Sequence, residues 1–265
     1  MEVSRSSVDI RAIERVRKMF AHPGGNCGVR GVRETGRSRF KVSAHFGRNW
    51  KLSMSQPELI LFAKQPVPGE VKSRLLPDYS PERAAEIAAF LIRATVELAV
   101  SAWPGDVALY VSPNPEHPLF RNLAREFHIR LAPQAGGDLG AKMLSALREG
   151  VERNGCAAVM GCDVPHCGWD VLDQANDWLA RGKNVLGPTE DGGYYFIGLQ
   201  EARPELFENM PWGSNQVLPM TLARAEALGM EFDLLAKLRD IDTARDLWLI
   251  AQKYEPLRKF VRREV

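Results

Sequence analysis

The residues best suited to chemistry stand far apart in this chain: Lys72 and Arg74, Asp163, Asp191, and the pair Asp240 and Asp242. Asp163 lies near the end of the run Ala157-Ala158-Val159-Met160-Gly161-Cys162-Asp163-Val164-Pro165-His166. A short apolar run of this kind reads as a buried strand, and Pro165 forbids further ladder pairing. In open α/β sheets, ligands bind outside the carboxyl ends of the strands. A carboxylate placed there, with glycine beside it, is a natural seat for a hydrated divalent cation. The same aspartate could instead shape a turn or cap the next helix.

Four other stretches carry groups of the right type. Residues 64–77, Lys-Gln-Pro-Val-Pro-Gly-Glu-Val-Lys-Ser-Arg-Leu-Leu-Pro, read as a loop because of their prolines and glycine. Lys64, Lys72 and Arg74 put three cations there, and Lys-x-Arg beside a strand end suits a diphosphate, although loop cations are usually just solvated. Residues 134–143, Gln-Ala-Gly-Gly-Asp-Leu-Gly-Ala-Lys-Met, form a glycine-rich turn opening a helix. Gly137 and its neighbours let a planar base approach the backbone, Gln134 offers a donor and an acceptor, and the helix N-terminus adds positive potential. Asp138 could contact a ligand or only cap that helix, and the spacing matches neither the phosphate-loop nor the dinucleotide fingerprint. Asp191-Gly192-Gly193 is either a plain hairpin turn or bare backbone against a ligand, with Asp191 bonding a hydroxyl. Trp212, on a loop, could stack on a sugar or plug the core.

Near the C-terminus, Thr243 and Asp246 pair as a capping box. Asp240 and Asp242 are not needed by that cap and could join Asp163 on one cation. Cys156, Cys162, His166 and Cys167 crowd together but lack a zinc-motif spacing, so buried free thiols are the better reading.

The elements that must position these groups alternate. Strands are expected at residues 58–63, 107–111, 129–131, at the run before Asp163, at 184–188 and at 231–235. Between them, helices are expected after Ser80-Pro81, over 118–127, from the glycine-rich turn to about Val151, over 169–180 with Trp169, Leu172 and Leu179 inward, and on to Leu228. This alternation predicts repeated βαβ units and a mostly parallel sheet.

Composition bounds the class. With 45% hydrophobic and 26% charged residues the chain resembles a soluble globular protein. It lacks an apolar run long enough to span a bilayer, and four cysteines make no disulfide scaffold, so a cytoplasmic protein with no membrane partner is expected. Residues 1–53 hold 12 Lys and Arg against 4 Asp and Glu, whereas the remainder is net acidic. The chain therefore divides into a basic arm, residues 1–53, and a body, residues 54–265. The arm has a candidate helix over residues 8–20 but few apolar groups, so a disordered tail, or a true start at Met54, is favoured over nucleic-acid binding.

Six stretches, residues 64–77, 134–143, 161–165, 186–199, 211–214 and 240–247, resemble in order the signature blocks of the radical-SAM/selenodomain-associated transferases, or arsenosugar-biosynthesis glycosyltransferases. That family is similar to the nucleotide-diphospho-sugar transferase superfamily. The resemblance implies a GT-A-like, doubly wound α/β fold and a transferase using Mg²⁺ or Mn²⁺. It implies nucleotide binding by Lys64, Lys72, Arg74, Gln134, Gly137 and Asp138. Asp163 becomes the metal acid, with Asp240 or Asp242 as the second, and Asp191, Gly192, Gly193 and Trp212 become the sugar or acceptor side. Asp163, Asp191 and Lys72 are the implied catalytic groups. Cys162, Lys142 and Gly213 depart from the pattern, standing where serine, arginine and serine are expected. The implied partners are a nucleotide sugar and a small acceptor. Nucleotidyl transfer from a nucleoside triphosphate is the alternative, and a nucleotide-binding module without turnover is a further rival.

Overall fold

The computed structural model describes residues 56–261. The basic arm and its candidate helix lie outside the described residues.

Seven strands, β1 (Glu58–Lys64), β2 (Val107–Ser112), β3 (Arg130–Pro133), β4 (Ala157–Gly161), β5 (Asn184–Pro188), β6 (Tyr194–Leu199) and β7 (Phe232–Leu234), form one sheet in the order β3-β2-β1-β4-β6-β5-β7. β1 pairs in parallel with β2 and β4, β2 with β3, and β5 with β7. Among these strands β6 alone runs antiparallel, paired with β4 and β5. β1 and β4 carry apolar side chains on both faces because helices cover both, as buried parallel strands require.

The helices α1 (Pro81–Ala102), α2 (Pro118–Phe127), α3 (Leu139–Asn154), α4 (Trp169–Ala180) and α5 (Val217–Ala227) flank the sheet, and α6 (Ala244–Ala251) packs its Leu247 and Ala251 with Ile87 and Leu91 of α1. Alternation along β1 divides the core. Leu59, Leu61 and Ala63 join Ile92 and Val96 of α1, Phe120 of α2 and Leu172 of α4. Ile60 joins Met143 and Leu147 of α3 and Ala225 of α5. The chain thus runs β1-α1-β2-α2-β3 across one face and crosses through α3 to β4 on the other side of β1. That reversal leaves a crevice between the carboxyl ends of β1 and β4, the usual place for a ligand in such sheets.

Local signals act as the sequence suggests. Ser80 Oγ accepts the Arg83 N–H at 3.2 Å and Pro81 occupies the first turn of α1. Two expectations are corrected. The third strand begins at Arg130 rather than Ile129, because His128 ends α2 in the left-handed region and the Ile129 N–H still bonds the Ala124 carbonyl. Trp169 is 40% exposed rather than inward. It opens α4, and its indole N–H reaches the Ser101 carbonyl at 3.0 Å instead of the core. Leu172 and Leu179 are buried as expected.

α6 starts with a complete capping box. Thr243 Oγ1 accepts the Asp246 N–H at 3.2 Å, and Asp246 Oδ2 accepts the Thr243 N–H at 2.9 Å. Burial works against the Asp246 carboxylate, but bonds from Thr243 and Arg239 outweigh it and hold its pKa below the usual value. A carboxylate depressed in the folded state adds stability above its unfolded pKa and loses it as pH falls through the folded pKa. Between about pH 5 and about pH 2, therefore, urea stability should fall more steeply in the wild-type chain than in Asp246→Asn. Parallel profiles would contradict the box as an acid-labile contact.

Candidate active site

The crevice at the reversal opens into a cavity of about 620 Å³. Its walls come from the end of β1 (Phe62, Ala63, Lys64), the following loop (Glu70 to Arg74), the turn before α3 (Gln134, Gly137, Asp138), the end of β4 (Gly161, Cys162, Asp163) and Asp242. Lys142, on the first turn of α3, also lines it.

At its base an ammonium joins three distant parts of the chain. Lys72 Nζ lies 2.6 Å from Asp163 Oδ1 and 3.0 Å from Asp242 Oδ1, and donates to the Ile241 carbonyl at 2.8 Å. Its side chain is only 9% exposed, whereas that of Asp163 is 47% exposed. Burial opposes the charge, but Asp163 and Asp242 outweigh it and hold the lysine pKa above its ordinary value. Lys72 takes up left-handed backbone angles, φ 48° and ψ 43°, uncommon for a residue with a side chain. Arg74 Nη1 meets the other oxygen of Asp242 at 3.1 Å. The acidic loop is docked on β4 by its backbone, with the Ile241 N–H donating to the Asp163 carbonyl at 3.1 Å.

Asp240 is coupled by charge to this cluster. Burial first, then the carboxylates of Asp163, Asp191 and Asp242, push its pKa up to about 8 against the pull of Lys72. Carboxyl groups thus crowd this end of the cleft, and hard oxygens of this kind suit Mg²⁺ or Mn²⁺. Three oxygens, from Asp163, Asp242 and the Ile241 carbonyl, converge on the Lys72 ammonium. Among the described residues, no three Asp, Glu, His or Cys side chains are grouped to hold a metal ion. The expected trio of Asp163, Asp240 and Asp242 is therefore not preassembled as a ligand set. Two of its members are turned onto Lys72 instead.

The remaining expected residues divide into cleft and periphery. Gln134 lines the cleft, but its amide N–H groups are spent on the carbonyls of Tyr110 at 3.1 Å and Ala63 at 3.3 Å. Lys64 Nζ bonds the Glu70 carbonyl at 2.7 Å and so closes its own loop. Asp138 caps α3, accepting the Ala141 N–H at 2.8 Å. Asp191, Gly192, Gly193 and Trp212 are not among the lining residues. Asp191 Oδ1 accepts from Thr189 Oγ1 at 2.5 Å and from the Gly193 N–H at 3.1 Å, which shapes the β5–β6 turn. Gly192 has φ 92°, and a Cβ there would meet the Asn215 backbone at 2.6 Å. Trp212 packs as a plug, edge-on to Tyr194 and against α3, where a Cβ on Gly140 would lie 2.8 Å from the indole.

The thiols are inert by position. Cys156, Cys162 and Cys167 are free and buried, and burial pushes all three pKa values up. His166 is driven down to about 4 by burial and stays neutral. Two contributors escaped the sequence reading. Lys142 stood out only as a replacement for arginine, although its place in the first turn of α3 was a usable signal. The Ile241 carbonyl could not be found from residue type, because every residue has one.

The profile of a family described as an uncharacterized protein conserved in bacteria, DUF2064, matches residues 95–214. The crystal structure of a candidate nucleotide-diphospho-sugar transferase from Desulfovibrio desulfuricans is similar, with a TM-score of 0.68 and 26% identity over 78% of this chain and 95% of that one. The fold is that of the nucleotide-diphospho-sugar transferases. A 4-diphosphocytidyl-2C-methyl-D-erythritol synthase from Anaerococcus prevotii shares it, with a TM-score of 0.52 and 8% identity over 78% of this chain and 99% of that one. No curated protein sequence matches the chain. The GT-A-like, doubly wound sheet expected from the sequence is thus observed, with β6 as its antiparallel member.

The cap at Asp138 is testable apart from any ligand. Asp138→Ala should cost about 1 kcal/mol of stability in chemical denaturation, and Asp138→Asn should recover most of it. An equal loss in both would contradict the capping role.

Proposed function

We propose that the protein is a metal-dependent glycosyltransferase that takes a nucleotide-diphospho-sugar into this cleft. One observation carries the reading: Lys72, Asp163 and Asp242 converge at the reversal point of a nucleotide-diphospho-sugar transferase fold, at the base of the cavity. The resemblance of the six sequence blocks to arsenosugar-type glycosyltransferases supports the same choice.

In this reading the base lies against the Gln134–Gly137 turn, where little side chain obstructs a planar ring. Lys72 as a point charge, Arg74 as a planar fork and Lys142 from α3 hold the diphosphate oxygens. Mg²⁺ or Mn²⁺, held by Asp163 and Asp242, with Asp240 coupled to them by charge, would offset charge on the departing diphosphate. Asp191 and the Gly192–Gly193 backbone, next to Asp240, orient the acceptor hydroxyl. That hydroxyl attacks the anomeric carbon, and the nucleoside diphosphate leaves. Three buried thiols suit a cytoplasmic setting. The proposed unit for this chemistry is the body, residues 54–265.

A second reading, nucleotidyl transfer, is favoured by one feature. Four cationic side chains, Lys64, Lys72, Arg74 and Lys142, line the cavity, enough to meet a triphosphate. There the acceptor attacks the α-phosphorus and pyrophosphate leaves.

Thermal unfolding with nucleotide sugars and nucleoside triphosphates, each with and without Mn²⁺, separates the two. A ligand at a hundred times its Kd adds about 2.7 kcal/mol. The expected result is stabilisation by a nucleotide sugar that needs Mn²⁺, with the Mn²⁺-dependent part absent in Asp163→Asn. An unchanged shift in that variant would refute the role of Asp163. A preference for triphosphate with pyrophosphate release would establish the second reading.

A further inference from the structure

We propose that Lys72 is a placeholder for the divalent cation, so that metal and diphosphate enter the cleft together. This rests on the metal-dependent reading above and concerns what Lys72 does before substrate arrives. An ammonium has three N–H donors, and at Lys72 all three find oxygens: Asp163 Oδ1, Asp242 Oδ1 and the Ile241 carbonyl. Nothing in that arrangement is left for a phosphate. Conversely, the two carboxylate oxygens nearest the cleft floor are already neutralised by a buried cation. A divalent ion arriving alone must displace the ammonium from both acids. A diphosphate arriving alone must draw the ammonium out and strand the acids against one another.

When both arrive, each removes the other's cost. The ammonium moves to the phosphate, and the metal takes its place between the carboxylates. The half-exposed Asp163 gives the metal its point of entry from the cavity. Lys72 stands at the hinge of such a motion. It holds left-handed backbone angles between the loop of Pro66, Pro68 and Gly69 and the 3-10 turn Ser73–Leu75. Arg74, on the outer oxygen of Asp242, can stay in place throughout. Because coupling between two ligands is reciprocal, the same factor appears in either order of addition.

Mn²⁺ binding to the full chain, followed by the electron paramagnetic resonance of free Mn²⁺, tests this without turnover. Lys72→Met should bind Mn²⁺ alone about tenfold or more tighter than wild type, within the usual range of coupling between sites. Lys72→Met combined with Asp163→Asn should lose that gain. If Lys72→Met melts like wild type yet binds Mn²⁺ no better, the placeholder is overturned. The metal-dependent reading would then survive only if nucleotide-sugar stabilisation still needs Mn²⁺ and Asp163. Absence of Mn²⁺ binding by every variant, with or without nucleotide sugar, overturns both. Should Lys72→Met not fold, reductive methylation of wild type mapped by peptide mass gives the answer. Lys72 should label faster when Mn²⁺ is added, and unchanged labelling overturns the proposal.

Discussion

The site depends on one interaction, the burial of a lysine ammonium from near the start of the body between two carboxylates, one from its middle and one from near its end. Lys72 and Asp242 are separated by 170 residues, yet their charged atoms lie 3.0 Å apart. A buried charge is tolerated only when it is paired and hydrogen-bonded. Here the pairing also holds the proline-rich loop after β1 and the acidic loop before α6 against the end of β4. Without the ammonium, the Asp163 and Asp242 carboxylates would face one another unpaired. Burial first, and then the neighbouring carboxylates, raise the pKa of Asp240.

A second set of contacts holds that acidic loop from behind. Arg239 reaches Asp246 at 3.0 Å and also meets Glu190 on the β5–β6 turn. The Leu238 N–H bonds the Pro188 carbonyl at 3.0 Å, and the Glu190 N–H returns to the Leu238 carbonyl at 2.9 Å. Thus the turn carrying Asp191 and the loop carrying Asp240 and Asp242 are bonded side by side. Arg239 ties both to Asp246 of the α6 capping box.

Much of this was legible in the sequence, and the misses have physical causes. The strands beginning at Glu58 and Ala157, the caps at Ser80, Asp138 and Thr243, and the βαβ alternation follow from signals carried by adjacent residues. Trp169 was misplaced because an aromatic at the first turn of a helix need not face the sheet its later turns face. Lys72, the expected phosphate residue, meets two carboxylates in this structure. Its type said only that it carries a charge, and its partner was decided by which carboxylates the fold brings within reach.

By itself, then, the sequence determined the kinds of element, their order, and the chemical types available at strand ends and turns. These are properties of neighbouring residues and of periods of two and 3.6. Only the tertiary structure decided that β4 lies beside β1, that the loop after Leu238 folds back onto Asp163, and that Asp191 and Trp212 do not line the cavity at Lys72. Those outcomes depend on strand order and on competition among distant charges. No local pattern encodes the distance between an ammonium and the carboxylates it will meet.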